Sequence, residues 1–136
     1  PLAVFADAVG GYIKRIQPDV VITHGSDGEY GHPQHIYTHR ATRVALNNGA
    51  PGTALLSWSA WYESPARERI LNRSDRADII SDVRPWLEAK IAAVLCHKTQ
   101  HAMFLRNTGA PSVPAMVWHT ETFHIWAGSL PAELRP

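Results

Sequence analysis

The sequence contains a single cysteine, Cys96, among its 136 residues. One cysteine excludes an internal disulfide framework and fits a reducing compartment such as the cytoplasm. Cys96 lies in an apolar stretch of helical character, where we expect a buried structural thiol rather than a nucleophile. No apolar run approaches the roughly 20 residues that a membrane-spanning helix needs, so we expect no membrane insertion.

No charge of one sign dominates. The 13 basic and 12 acidic residues give a net charge of +1 and form no basic stripe, which argues against nucleic acid or an anionic membrane as partner. An initiating methionine and a signal peptide are also missing, so we expect one domain over 1–136 that is part of a longer polypeptide. Without a Gly-x-Gly-x-x-Gly or Gly-Lys-Ser/Thr loop, a nucleotide-binding domain is disfavoured.

The hydrophobic pattern predicts alternating helices and strands. Helices are predicted over 2–16, 33–47 and 84–100, strands over 19–24, 53–58, 77–83 and around 122–125, a polar surface excursion with a short helix over 59–76, and a loop over 105–116. This order is typical of an α/β fold with a mostly parallel sheet. With only three or four strands, one or two helices would lack a covering layer, which predicts a fold incomplete at its N-terminus.

The segment Gly31-His32-Pro33-Gln34-His35 is the strongest chemical signal. It follows a predicted strand, and Pro33 suits the first position of a helix because its missing N–H would be unpaired there. His32 is therefore expected at the helix entrance and His35 one turn further on. Both can face the carboxyl end of a strand, where open α/β sheets bind ligands.

Eight histidines offer two clusters, at 32–39 and at 97–101. His32 with His35, or His35 with His39, can share a metal ion, whereas His32 and His39 are about 10 Å apart along an ideal helix. A catalytic zinc usually takes three protein ligands, and neither a Cys pair nor His-Glu-x-x-His is present to complete a site. We expect His39 to be a packing residue, and His97 and His101 to cap the end of a helix.

Three segments resemble one known family. Residues 23–35, Thr-His-Gly-Ser-Asp-Gly-Glu-Tyr-Gly-His-Pro-Gln-His, followed by His39-Arg40-Ala41, resemble the second signature of the LmbE-like or PIG-L-type zinc-dependent N-acetylglucosamine de-N-acetylases. Residues 90–100, with Lys90 first and His97-Lys98-Thr99-Gln100 last, resemble the late helix of that family. Glu121-Thr122-Phe123 resembles its closing strand, and the three segments occur in the family's order.

The resemblance implies a Rossmann-like three-layer α/β/α domain that hydrolyses an amide of a small amino-sugar substrate. It implies that His35 ligates the metal, that His32 faces the reacting carbonyl and stabilises the oxyanion, and that Tyr30 assists nearby. The implied cofactor is zinc, with Fe(II) as the other candidate. The reaction implied by the family resemblance uses metal-activated water, a carboxylate general base and hydrogen-bond donors to the oxyanion.

Two departures qualify the resemblance. The family's first motif, Ala-His-Pro-Asp-Asp-Glu, which supplies the other two metal ligands and the general base, does not occur in this sequence. The remaining ligands are therefore expected upstream of Pro1. Gln34 stands where bacterial members commonly have Asp, which removes a carboxylate able to raise the basicity of its histidine partner. A non-catalytic domain serving as a binding or subunit-contact module is the alternative function, and a homo-oligomer is allowed.

Several further residues carry two interpretations. Asp27 and Glu29 either orient the loop or contact sugar hydroxyls, although acidic turn residues are usually only solvated. Trp58 and Trp61 are core residues or line a sugar pocket. Glu121 is a buried partner of an arginine or a surface charge. The remaining expectations are that Thr99 and Gln100 satisfy backbone groups behind the site and that His24 points from the first strand toward the site or the core.

Overall fold

The computed structural model describes residues 1–48, 52–63 and 71–134. The chain forms two compact units, one of Pro1–Ile80 with Thr122–Pro136 and the other of Ser81–Glu121. A single domain over 1–136 stays a prediction. Among the described residues, no helix has the length and apolar character that crossing a bilayer requires.

Helices and strands alternate along the chain, as the hydrophobic pattern predicts. The helices are α1 (Leu2–Ile16), α2 (Gly28–Gly31), α3 (Pro33–Asn47), α4 (Leu87–Cys96), α5 (His101–Thr108) and α6 (Val113–Met116). Short 3-10 turns lie at Arg84–Trp86, Lys98–Gln100 and Ala132–Leu134. The strands are β1 (Val20–Thr23), β2 (Ala54–Trp58), β3 (Ala60–Trp61), β4 (Asn72–Arg76), β5 (Ile79–Asp82) and β6 (Thr120–Ala127).

Four strands form one sheet in the order β1-β2-β6-β5, and β3 pairs with β4 in a second, two-stranded sheet. The β1–β2 and β3–β4 pairs are parallel, whereas β6 runs antiparallel to β2. The predicted α/β class with mostly parallel strands is therefore confirmed, and the antiparallel last strand is an addition to it. Thr23, the last residue of β1, pairs with Ser57, so both strands end at the same edge of the sheet.

Strand β2 supplies the core on both faces of the sheet. Its central residue Leu55 is 2% exposed and packs with buried residues of α1 and α3, namely Ile13, Ala45 and Leu46. The neighbouring Ala54 and Leu56 point the other way, because successive side chains of a strand alternate between faces, and they pack with Leu130. Helices α1 and α3 thus hold β1 and β2 firmly where the histidine-rich loop begins.

The excursion predicted over 59–76 is partly wrong. Among its described residues, 59–63 and 71–76, no helix is found; instead β3 and β4 occupy it. Residues 64–70 of the predicted excursion lie outside the described part, so the short helix stays a prediction there. The polar side chains of Asn72 and Asp75 are 0% exposed, since each is held by hydrogen bonds inside the fold.

The second unit differs from its prediction at two places. The helix predicted over 84–100 stops at Cys96 because His97 leaves the helical conformation, with φ −80° and ψ 52°. The predicted loop over 105–116 contains the end of α5 and the short α6, which begins with Ser112 accepting a hydrogen bond from the Ala115 N–H. Cys96 is exposed, and no residue of α4 is buried, so the prediction of a buried thiol is wrong.

Candidate active site

The candidate site is built on the loop between β1 and α3. Gly28 has φ 64°, and Glu29 follows with φ 60° and ψ −55°, a left-handed conformation that is rare for a residue with a side chain. The chain then turns at His32, whose carbonyl accepts the N–H groups of His35 and Ile36. Both histidines of the motif consequently lie at the entrance of α3, as the sequence predicts.

Glu29 joins two imidazoles. Its Oε2 lies 2.5 Å from Nδ1 of His35 and 3.2 Å from Nδ1 of His24, while its Oε1 accepts the N–H of Gly25 at 3.0 Å. The rings of His24 and His35 are stacked with centroids 3.8 Å apart. Glu29 is only 6% exposed, so the expectation of a merely solvated acidic turn is wrong for this residue.

The three site residues implied by the family resemblance lie together. The His32 and His35 rings have centroids 4.3 Å apart, and the Tyr30 ring meets both of them edge-on at 5.7 and 5.6 Å. Tyr30 is 64% exposed, so its phenol is open to a ligand. Nδ1 of His32 is buried and has no hydrogen-bond partner among the described residues. Their catalytic roles stay predictions.

His39 is a buried packing residue. It is 2% exposed, its Nδ1 is 2.9 Å from the carbonyl of His24, and its ring meets Trp126 edge-on at 4.9 Å. The structure therefore does not support a metal shared by His35 and His39. Burial lowers the pKa of His39 below its ordinary 6.5, and the hydrogen bond to His24 opposes this only in part.

The lowered pKa of His39 predicts a pH-dependent stability. Because the unfolded chain binds a proton at this residue more readily, the free energy of unfolding should fall as the pH drops below about 6.5. We expect the native protein to lose more stability between pH 7.5 and 5.5 than the variant His39→Gln. Urea unfolding at both pH values measures the difference, and equal losses would contradict the direction of the shift.

The cluster of His24, Glu29 and His35 fits a divalent metal ion. The ligand atoms of His24, Glu29 and His35 all lie within 4.8 Å of one another. The two imidazoles can supply nitrogen ligands, while the Glu29 carboxylate is hydrogen-bonded to Nδ1 of His35 and orients its ring. The sequence pattern predicts that His24 points toward the site or the core, but it assigns neither His24 nor Glu29 to a metal site. The available signal was that His24 directly follows a buried strand.

Trp58 borders the same site. Its indole N–H lies 3.3 Å from Nδ1 of His24, and the side chain is 37% exposed. An open pocket of about 430 Å³ is lined by Ile22, Thr23, His24, Thr38, Thr42 and Trp58. This position agrees with a pocket role for Trp58 rather than a core role, whereas Trp61 does not line this pocket.

Side chains and backbone groups of strand β4 form hydrogen bonds with the loop between β1 and α3. Asp75 accepts hydrogen bonds from the N–H and the hydroxyl of Ser26, and from the hydroxyl of Ser57 at 2.8 Å. In the reverse direction, Asp27 accepts the N–H of Ser74 at 2.8 Å. Asp27 therefore orients the loop, which is one of the two interpretations left open by the sequence.

In the second unit, Lys90 and Glu121 form an ion pair, and the Lys90 ammonium also donates to the carbonyl of Trp118. The partner of Glu121 is thus a lysine and not an arginine. Gln100 donates to the Thr99 hydroxyl rather than to a backbone group.

The two late histidines occupy different helix ends. His97 follows the last residue of α4, as a capping role requires, whereas His101 is the first residue of α5. A capping role at a helix C-terminus is therefore wrong for His101.

The chain is similar to curated deacetylases. It is 29% identical over 119 residues to the 1D-myo-inositol 2-acetamido-2-deoxy-alpha-D-glucopyranoside deacetylase of Mycobacterium sp. (strain JLS), covering 73% of this chain and 39% of that protein. It is 32% identical over 126 residues to deacetylase 1 of the same name from Saccharopolyspora erythraea, covering 77% and 42%. The second such deacetylase of Frankia alni is 26% identical over 155 aligned positions, covering 86% and 53%.

The first of these relatives are much longer than the aligned region, and the chain spans about two fifths of their length. No model of a known protein family matches the sequence. The similarity to several deacetylases of one kind agrees with the three segments quoted above, and it extends over most of the chain. On these grounds the chain belongs to the LmbE-like or PIG-L-type family of N-acetylglucosamine deacetylases.

Proposed function

We propose that this chain is part of a metal-dependent hydrolase that removes the N-acetyl group from an N-acetylglucosamine-type sugar or sugar conjugate. One observation carries the proposal: Glu29 holds His35 at the helix entrance beside His32 and Tyr30. The names of the relatives, which specify an acetamido-glucopyranoside as substrate, support this substrate class.

The proposed cofactor is zinc, with Fe(II) as the other candidate, since imidazole and carboxylate ligands accept both. When bound, such an ion polarises a carbonyl and makes a bound water acidic. His35 would hold it through Nε2, because the Glu29 carboxylate accepts a hydrogen bond from the Nδ1–H of His35, which leaves the lone pair on the other ring nitrogen. His24, with its ring stacked on that of His35, is the second nitrogen donor of the cluster.

His32 is proposed to face the reacting carbonyl and to donate to the oxyanion that forms during hydrolysis. Its buried Nδ1 has no partner among the described residues, and its ring lies beside that of His35. Tyr30 is proposed to assist at the same carbonyl with its exposed phenol. Glu29 is not the general base in this scheme, because both of its oxygens already accept hydrogen bonds.

The competing proposal is a non-catalytic binding or subunit-contact module, and it rests on the lack of an Ala-His-Pro-Asp-Asp-Glu motif in this sequence. Metal analysis separates the two proposals. A purified protein that takes up zinc in stoichiometric amount counts against the non-catalytic module. A protein that binds no zinc and releases no acetate counts against the hydrolase.

The hydrolase proposal predicts that His35→Ala abolishes activity. We expect acetate release from N-acetylglucosamine conjugates to fall at least about 100-fold, because losing a ligand weakens the metal site severely. Acetate release and bound zinc are measured on the protein that contains this chain. His119→Ala, which removes an exposed histidine, is the matched control and should retain both. Native-like turnover of His35→Ala would overturn the proposal.

A further inference from the structure

We propose that Asn72 is a positioning residue of this metal site. It acts through Glu29, whose backbone and carboxylate it fixes, so that His24 and His35 are aimed at the ion. The inference rests on the proposed function, because it assigns a purpose to the site that His35 defines. Asn72 lies 43 residues from Glu29 along the chain and in a different sheet from β1, and no sequence motif connects them.

The amide of Asn72 is fully enclosed and completely used. Its Oδ1 accepts the N–H of Glu29 at 2.8 Å. Its Nδ2 contacts the carbonyls of Trp58 at 3.0 Å and Ser59 at 3.2 Å, and Oε1 of Glu29 at 3.4 Å. Asn72 is 0% exposed, so the backbone N–H of Glu29 would lose its partner without gaining water if the amide were removed. The Ser59 carbonyl would keep the backbone N–H of Asn72, and Oε1 of Glu29 would keep that of Gly25. The Asn72 side chain thereby fixes both the backbone N–H and the carboxylate of Glu29 next to the end of β2.

The backbone conformation of Glu29 requires hydrogen bonds that stabilise it. A positive φ is unfavourable for a non-glycine residue and persists only when its surroundings determine it. Here the backbone N–H of Glu29 is bound by Asn72 and its carboxylate by the Gly25 N–H. If the backbone relaxed to negative φ, the carboxylate would leave the two imidazoles.

Gly25 shows how closely Asn72 approaches the loop. A Cβ atom at Gly25 would lie 2.0 Å from Cγ of Asn72 and 2.1–2.2 Å from its amide nitrogen and oxygen. Only glycine therefore allows the amide to reach past this point to Glu29. The close approach of Asn72 to Gly25 therefore leads directly to the carboxylate between His24 and His35.

Metal affinity depends on a carboxylate that is hydrogen-bonded to the second ring nitrogen of a ligating histidine. Such a group fixes the ring orientation and the proton position, and its loss typically lowers metal affinity 10- to 100-fold. Glu29 has this relation to His35. Because Asn72 sets where Glu29 stands, its removal should produce a loss of the same order although Asn72 touches neither imidazole.

Zinc affinity of the protein, measured by competition with a chromophoric chelator, tests the inference. We expect Asn72→Ala to bind zinc about 10- to 100-fold more weakly than the native protein. Ser74→Ala is the matched control: this exposed residue is two positions along β4, its backbone bond to Asp27 is kept, and its affinity should not change. Asp75 and Asp27 still fasten the loop in the Asn72 variant, which favours a folded product.

A double-mutant cycle separates positioning from general structural support. In a Glu29→Gln background, Asn72→Ala should cause little further loss of zinc affinity, because the group it positions is already impaired. Long-range ¹H–¹⁵N spectra add a second readout: the neutral His35 ring should carry its proton on Nδ1 in the native protein and show mixed tautomers in Asn72→Ala.

Three outcomes overturn the inference. They are a native zinc affinity in folded Asn72→Ala, losses that add fully in the cycle, and an unchanged tautomer of His35. If Asn72→Ala does not fold, Asn72→Ser is measured in the same way, and a native affinity in that variant overturns the inference as well. The proposed function fails separately, when His35→Ala binds zinc as tightly as the native protein.

Discussion

Replacing His32 by glutamine is expected to lower kcat for N-acetyl hydrolysis by about 10²- to 10³-fold, the usual effect of removing one oxyanion donor. The ring of His32 lies beside that of His35, with centroids 4.3 Å apart, yet it takes no part in the hydrogen bonds at Glu29. The zinc content of His32→Gln should therefore equal that of the native protein. Steady-state kinetics together with metal analysis measure both quantities.

The control for this variant is His119→Gln, which makes the same change at an exposed histidine and should leave kcat unaltered. His35→Ala provides the contrast, because it should lose metal and activity together. A His32→Gln variant with native kcat would show that His32 does not contact the developing charge. A variant that loses its zinc would show instead that His32 is a ligand, which would reassign the site.

Local sequence signals were sufficient for the elements that carry the site. Helix α3 occupies Pro33–Asn47, as predicted, because Pro33 has a backbone fixed for a helix start and lacks the N–H that would be unpaired there. Strand β1, Val20–Thr23, was recognisable from its apolar β-branched residues. From these two elements the position of His32 and His35 followed, since a short loop after a strand leaves the helix entrance little freedom.

The sequence could not predict the environment of Glu29. Its burial depends on a left-handed backbone conformation and on Asn72, a partner 43 residues away. Asn72 and Asp75 lie in a polar stretch, and polarity alone predicts solvent exposure. Hydrogen bonds to buried partners reverse that expectation, but the partners are brought together only by the tertiary fold. The sequence therefore did not assign His24 and Glu29 to the candidate metal site.

The break between α4 and α5 shows a second limit. The hydrophobic pattern from Leu87 to Gln100 suits one helix, but the backbone turns at His97 and restarts at His101. Neither proline nor glycine marks this turn in the sequence. The start of α6 was, by contrast, readable in principle: Ser112 caps the helix and Pro114 lies in its first turn, a combination typical of a helix N-terminus.

Removal of the Asp75 carboxylate from β4 is expected to destabilise the protein strongly. Asp75 is 0% exposed and accepts three hydrogen bonds, two from Ser26 and one from Ser57. Hydrogen bonds to a charged group contribute about 1.5–3 kcal/mol each, and buried donors left unpaired add a desolvation cost. We expect Asp75→Ala to lower the free energy of unfolding by roughly 3–5 kcal/mol, measured by urea denaturation.

Two variants define how this result is interpreted. Asp75→Asn keeps the shape and one acceptor oxygen, so it should lose less stability than Asp75→Ala, because fewer donors remain unpaired. Asp7→Ala removes an exposed carboxylate of α1 and should change stability by less than about 0.5 kcal/mol. If Asp75→Ala unfolded with the same urea midpoint as the native protein, the three hydrogen bonds would contribute no net stability. Strand β4 would then hold the loop through Asn72 and through the bond between Asp27 and Ser74 alone.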